Sequence, residues 1–420
     1  MQTRLSPEFK QTADGAEAEA ILRKCVHCGF CNATCPTYQL LGDELDGPRG
    51  RIYLIKQVLE GAPATRSTQQ HLDRCLTCRN CETTCPSGVE FGRLVDIGRE
   101  LIDARVTRPP AERAARWLLK RGLTSSLFAA AVKIGSLLRP LLPRRIAAQL
   151  PPGGASAAGA RTAPAGARNV PASAPAPRVL LLGGCVQPAL APNINAATLR
   201  VLQAAGIECR IMGGCCGAIR SHLGDHDAGL ADARRNIDAW WPAVAGGGIE
   251  AIVSNASACA LAIKDYGRAL ARDERYAAKA AAVSALARDL CELLPRMLPA
   301  LGARLAPPGE PAGARRLAFH PPCTLQHGQR LGGVVEAHLK SLGFDMATCP
   351  DSHLCCGSAG TYSVLQPALA HELRDRKLAN LATLQPQCIV SANIGCIHHL
   401  QAGTATPVRH WVEILGAALD

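Results

Sequence analysis

Cys25-Val26-His27-Cys28-Gly29-Phe30-Cys31-Asn32-Ala33-Thr34-Cys35-Pro36 decides the reading of this chain, because its spacing returns fifty residues later as Cys75-Leu76-Thr77-Cys78-Arg79-Asn80-Cys81-Glu82-Thr83-Thr84-Cys85-Pro86. Both stretches follow C-x2-C-x2-C-x3-C-P, the run that holds bacterial 4Fe–4S clusters. Three cysteines at two-residue gaps wrap one face of an iron–sulfur cube. The fourth, ahead of proline, lies too far along the chain and serves the other cube. The spacing therefore assigns Cys25, Cys28, Cys31 and Cys85 to one cluster and Cys75, Cys78, Cys81 and Cys35 to a second. Zinc sites more often join two short C-x2-C units across a longer gap, so iron–sulfur is the stronger reading.

Working outward, 20 cysteines in 420 residues are far more than an intracellular protein ordinarily carries. Glu8, Asp14, Glu17 and Glu19 interrupt the N-terminal stretch, which lacks the apolar core of a secretory signal. The expected compartment is the reducing cytoplasm, where thiols serve metals or redox chemistry. An apolar content of 48% excludes a disordered chain. Lys133 and Arg139 break the longest apolar stretch, Leu123 to Pro143, so no membrane span is expected. The net charge of +12 raises nucleic-acid binding, but 4% aromatic residues offer few stacking platforms, and no nucleic-acid partner is expected.

The pattern divides the chain into a helical cluster-bearing region, 1–104, and a basic helical connector, 105–150. A Pro/Ala-rich linker follows at 151–177. Beyond it, 178–300 and 315–420 repeat one another. Val179–Leu182 and 316–320 read as buried strands leading to Cys185 and Cys323. Later strands lead to Cys215-Cys216-Gly217 and Cys355-Cys356-Gly357, and further ones, Ala251–Ser254 and 389–391, lead to Cys259 and Cys396. The intervals from the first cysteine to the pair are 30 and 32 residues, and those from the pair to the last are 43 and 40. Strands alternating with helices imply parallel sheets, whose ligand sites lie beyond the strands' carboxyl ends. Cys185, Cys215, Cys216 and Cys259 should then converge, as should Cys323, Cys355, Cys356 and Cys396. The expected class is α plus α/β, a helical two-cluster ferredoxin-like domain followed by two parallel cysteine-rich units.

Each C-terminal quartet is open to a further iron–sulfur cluster, a zinc ion, a redox-active dithiol or a vestigial framework. Cys209, Cys291, Cys349 and Cys388 read as core residues. His320, His327, His353, His398 and His399 crowd the second unit, where one could complete a metal site or move protons. The basic stretch from Arg105 to Arg145 is open to three readings: an anionic membrane surface, a partner subunit, or a solvated face. No G-x-G-x-x-G follows a strand, and no P-loop, HExxH or G-x-S-x-G occurs. Nothing here recognisably binds a nicotinamide or flavin, which makes an electron-transfer subunit the simplest reading and a thiol–disulfide reductase its competitor.

The stretches 25–31, 42–53, 73–81, 236–242, 351–362 and 409–411 resemble the iron–sulfur subunits of bacterial glycolate oxidases. The likeness covers nearly everything except the linker. It implies flavin-containing partner subunits, carrying FAD, that oxidise glycolate to glyoxylate. It also implies electron flow toward a membrane quinone and a peripheral position on the inner face of the cell membrane. The two repeats are similar to the cysteine-rich CCG domains of heterodisulfide reductase, anaerobic glycerol-3-phosphate dehydrogenase and lactate-utilisation proteins. There a C-x-x-C closes each unit in the fullest version of the motif; here Ala262 and His399 stand three residues after Cys259 and Cys396.

Overall fold

The structure, a computed structural model, describes residues 1–125, 127–141, 178–305 and 316–419. The linker expected at 151–177 and the end of the basic connector lie outside the described residues.

Short helices fill the first 105 residues. Thr12 accepts a hydrogen bond from the Gly15 N–H (3.0 Å) and starts the helix Ala13–Lys24, whose Ala18, Ile21 and Leu22 recur at helical spacing and are buried. Pro48 occupies the first turn of Pro48–Leu59, where its missing N–H costs nothing, and Ile52, Ile55 and Leu59 face inward. The helix Phe91–Arg105 packs across both through Leu94, Val95 and Ile102. Gly98 permits that approach: a Cβ there would stand 2.6 Å from Ile55 Cγ1.

The turn-rich stretch between the two cysteine runs is anchored by one buried carboxylate. Asp46, wholly buried, accepts from Arg74 (2.7 Å) and Arg51 (3.4 Å) and faces His71 Nδ1 at 3.1 Å. Arg51 is itself 1% exposed, and its Nη1 lies 4.0 Å from Cys35 Sγ.

Two further helices, Pro110–Leu123 and Phe128–Leu137, form the described part of the basic connector. Much of its charge is already paired. Arg108 meets Asp73 and Asp103, Arg116 meets Asp73 (2.9 Å), Lys120 meets Asp225 (3.3 Å) and Arg105 meets Glu8.

Each C-terminal unit holds a four-stranded parallel sheet. In the first, β1 (Val179–Leu182), β2 (Cys209–Met212), β3 (Ala251–Ser254) and β4 (Ala287–Asp289) lie in the order β2-β1-β3-β4. In the second, β5 (Leu317–His320), β6 (Met346–Thr348), β7 (Cys388–Ser391) and β8 (Val408–His410) repeat it as β6-β5-β7-β8. The sequence reading reached three strands per unit. The fourth strands, β4 and β8, are additions: Ala287-Arg288-Asp289 and Val408-Arg409-His410 are too short and polar to announce themselves.

The two units share one core, in which Val179, Leu181 and Val253 join Leu317, Phe319 and Val390. Beyond the strand ends, Ser257 N–H donates to Ala392 O (3.0 Å), and His410 Nε2 meets Asn255 O at 2.8 Å. The carboxyl edges of both sheets are thereby brought toward one another.

Replacing Asp46 by Ala would leave Arg51 buried without its counter-charge. Such changes cost about 3–5 kcal/mol. Denaturant unfolding of the anaerobic protein is expected to show a loss of that size, and an unchanged midpoint would refute the anchoring role.

Candidate iron–sulfur and thiol sites

The two N-terminal runs adopt the same local path. His27 (φ 60°) and Gly29 (φ 86°) flank Cys28 in the left-handed region; Thr77 (φ 53°) and Arg79 (φ 59°) flank Cys78 likewise. Left-handed backbone is costly for His, Thr and Arg, so its recurrence at matched positions marks a loop held for its shape. A four- or five-residue helix then carries the third cysteine of each run, Phe30–Ala33 with Cys31 and Asn80–Thr84 with Cys81.

The loops exchange their fourth cysteines. Burial pushes the Cys31 thiol up to about 11, helped by the charges of Cys25, Cys85 and Cys28. Burial likewise raises Cys81, with Cys78, Cys75 and Cys35 as the neighbouring thiols. The structure thus brings Cys25, Cys28, Cys31 and Cys85 together, and separately Cys75, Cys78, Cys81 and Cys35. Thiols so crowded resist ionising without a cation among them; a bound metal inverts that balance and holds them as thiolates. Both sets therefore fit an iron–sulfur cluster. Arg99 braces the second loop through Thr77 Oγ1 (2.9 Å) and Cys75 O (2.6 Å), while the Thr77 N–H reaches Cys75 Sγ at 3.3 Å.

The C-terminal quartets also converge. In the first unit Cys185 meets Cys215, Cys215 meets Cys216, and Cys216 Sγ lies 3.3 Å from Cys259 Sγ. Hydrogen bonding from Cys185 and then Cys216 lowers the Cys215 pKa. In the second unit Cys323 meets Cys355, Cys355 meets Cys356, and Cys356 meets Cys396. The glycine after each pair completes the turn. Gly217 (φ +86°) and Gly357 (φ +87°) each donate N–H to the first sulfur of the pair at 3.4 Å. A Cβ at either would stand 2.4 Å from a helix carbonyl, Gly229 O or Ala370 O. Asn236 holds the first hinge, accepting from Gly214 N–H (2.9 Å) and donating to Cys215 O (2.8 Å). Tyr266 donates to Cys216 O (3.0 Å), a role that nothing in its sequence surroundings marks.

The helical region docks on the second unit through its cysteine loop. Leu76, Cys78, Cys323, Cys355 and Tyr362 form one apolar nest, and Tyr362 OH donates to Arg74 O at 3.1 Å. Asn80 donates to His353 O (3.2 Å), and Thr83 bonds His327 Nδ1 (2.9 Å). Cys323 is, after burial, the largest influence raising the Cys78 thiol. A cavity of about 560 Å³ opens beside this nest; Cys216, Cys259, Cys323 and Cys396 border it, and the connector helices close it with Leu119 and Phe128.

Cys291, Cys349 and Cys388 are buried in the shared core, and Cys209 packs against it. His327 serves the docking contact, His399 Nε2 meets Ala370 O at 3.1 Å, and His353 lends its carbonyl. His320 sits against Cys356 and Cys396 of the second thiol quartet, and His398 lines the cavity beside it.

Together these features define an iron–sulfur electron-transfer protein. Residues 21–89 match the 4Fe-4S dicluster domain family, and residues 179–264 and 317–401 match the cysteine-rich domain family. Over 424 residues, spanning 100% of both chains, the protein is 53% identical to the glycolate oxidase iron-sulfur subunit of Escherichia coli (strain K12), and it belongs to that family. A probable glycolate oxidase iron-sulfur subunit of Bacillus subtilis (strain 168) is 29% identical, with 94% of this chain and 91% of the relative covered. Lactate utilization protein A of Bacillus velezensis is 28% identical over 57% of this chain and 99% of its own length.

Gly357→Ala is expected to cost at least about 2 kcal/mol, since a left-handed alanine costs roughly 1–2 kcal/mol before any clash. Gly360→Ala, at φ +64° with nothing within 4 Å of its Cβ, should cost only the conformational part. Equal losses in thermal unfolding would remove the steric argument.

Proposed function

We propose that this chain is the electron-carrying subunit of a complex in which partner subunits oxidise glycolate to glyoxylate on FAD, and that it discharges to a membrane quinone. The Escherichia coli relative, a glycolate oxidase iron-sulfur subunit, supports the substrate. Glycolate gives up two electrons and two protons, and a quinone takes up the same on becoming a quinol. Cys25, Cys28, Cys31 and Cys85 would hold one 4Fe–4S cluster and Cys75, Cys78, Cys81 and Cys35 the other. When bound, two such clusters supply one-electron carriage between a flavin and an acceptor. Cys185, Cys215, Cys216 and Cys259, and Cys323, Cys355, Cys356 and Cys396, would hold metal in the two units.

The observation that carries this reading is the apolar nest around Cys78 and Cys323, which sets the second N-terminal thiol set directly against the second unit's quartet. At the other end, Cys28 is exposed, with Val26 and Phe30 exposed beside it, a surface suited to a donor subunit. The exit is supported by the cavity and by the helices over it. Trp117, Leu118, Ile134 and Leu137 are exposed on Pro110–Leu123 and Phe128–Leu137, and Leu127 just ahead of the second, alongside the exposed cations Arg113, Arg121 and Lys133. No Asp or Glu occurs between Glu112 and Glu208. That combination suits an anionic membrane surface. Among the described residues no helix is long and apolar enough to cross a membrane.

The 3.3 Å contact between Cys216 and Cys259 favours a second reading, reversible disulfide chemistry in the first unit. Cys259→Ser separates the two: it should lower metal content under the first reading and abolish disulfide turnover under the second.

The purified chain is expected to show no glycolate oxidation. The complex lacking it should still reduce an artificial dye with glycolate but not a quinone; retained quinone reduction would sink the assignment. Anaerobic protein should bind anionic vesicles in flotation assays. Trp117→Glu with Leu127→Glu should weaken that binding at least about tenfold, because each buried large apolar side chain contributes about 1.5–3 kcal/mol.

A further inference from the structure

The two C-terminal units are built alike, yet they differ at the last residue of the central strand. β1 ends on Leu182 and β5 ends on His320. His320 is 1% exposed, and neither of its ring nitrogens has a hydrogen-bond partner among the described residues. A buried imidazole without partners loses hydration at both nitrogens and regains nothing. The side chain is placed where ligand sites of parallel sheets lie, beyond the carboxyl end of its strand. Its ligand nitrogen and the sulfurs of Cys356 and Cys396 all lie within 4.8 Å of one another, and all three residues are buried. A tetrahedral ion with metal–sulfur bonds of about 2.3 Å spaces its ligands roughly 3.8 Å apart, so the three atoms suit a single metal.

We propose that His320 is a nitrogen ligand to iron held by Cys356 and Cys396, making the second unit's centre mixed sulfur–nitrogen while the first unit's is all-sulfur. This rests on reading the second quartet as a metal site. Neutral imidazole in place of thiolate makes an iron centre easier to reduce, as histidine ligands do in Rieske clusters. An electron arriving from the Cys78 side would thus meet the more oxidising of the two units first.

The test uses the full chain produced without oxygen and labelled with 15N-histidine. Pulsed electron paramagnetic resonance should detect a histidine nitrogen coupled to a paramagnetic iron centre. His320→Leu, which copies the residue β1 already carries, should abolish that coupling while leaving the eight irons of the two N-terminal clusters, counted per chain. His320→Cys should restore iron to the site and lower its midpoint potential. Iron beyond those eight without nitrogen coupling, or with coupling that survives His320→Leu, overturns the ligand assignment alone. No iron beyond the eight overturns it together with the reading of the second quartet as an iron site.

Discussion

A thiolate removed from water needs positive charge or N–H donors close by, and sixteen thiols gathered into four sets make that demand the governing constraint on this chain. Its scaffold answers with backbone first. The N–H groups of Thr77, Gly217 and Gly357 each point at the sulfur two residues earlier, at 3.3, 3.4 and 3.4 Å. Side-chain charge comes next. Arg51 places a buried guanidinium beside Cys35, and Asp46 tethers that guanidinium without neutralising every donor on it. What remains is the charge of the metal, and the raised pKa values of Cys31, Cys78 and Cys81 register its place: burial and mutual repulsion keep them protonated until a cation arrives.

How much of this was legible in the sequence follows from the range of each interaction. The cysteine runs are local, so their spacing alone spoke for a cluster loop, and His27/Gly29 matches Thr77/Arg79 in backbone as the spacing implies. The strands β1, β3, β5 and β7 are apolar and bounded by turns, so they and the cysteines after them could be placed. β4 and β8 could not, since three residues containing Arg288 or Arg409 carry no apolar run. The pairing of the basic connector's charge was hidden for a related reason. Asp73 and Asp103, which absorb Arg108 and Arg116, lie 5 to 43 residues away, and Asp225, which meets Lys120, lies more than a hundred away. The solitary state of His320 is a property of packing, and in the sequence it looks like any of its four neighbours.

Duplication followed by divergence explains the asymmetry of the two units. Both keep the strand order, the glycine after the cysteine pair and the row of sulfurs, because those make the pocket. The first unit meets the N-terminal cysteine loop through the Asp265–Arg79 ion pair (3.4 Å), whereas the second meets it through Tyr362, His327 and the backbone of His353. Its hinge is also held differently: Lys377, 2% exposed, donates to Asp351 O at 2.6 Å, where the first unit uses neutral Asn236. A buried ammonium beside one thiol set and an amide beside the other must separate the electrostatic potentials at the two pockets, whatever metal each holds.

The connector joins these pockets to the outside, and its geometry limits how. Helices of 14 and 10 residues rise about 21 and 15 Å, well short of the roughly 30 Å of a bilayer's hydrocarbon. They are apolar on two sides. Leu119, Leu123, Phe128 and Val132 line the cavity, while Trp117, Leu118, Leu127 and Ile134 face outward. A helix pair with two apolar faces is unfavourable in water on both, and closing the cavity relieves only one. Lying flat in a lipid interface would relieve the other and set a single layer of helix between the acyl chains and a chamber bordered by both thiol quartets. An acceptor soluble in that interface would then have to pass only the helix pair to reach sulfur.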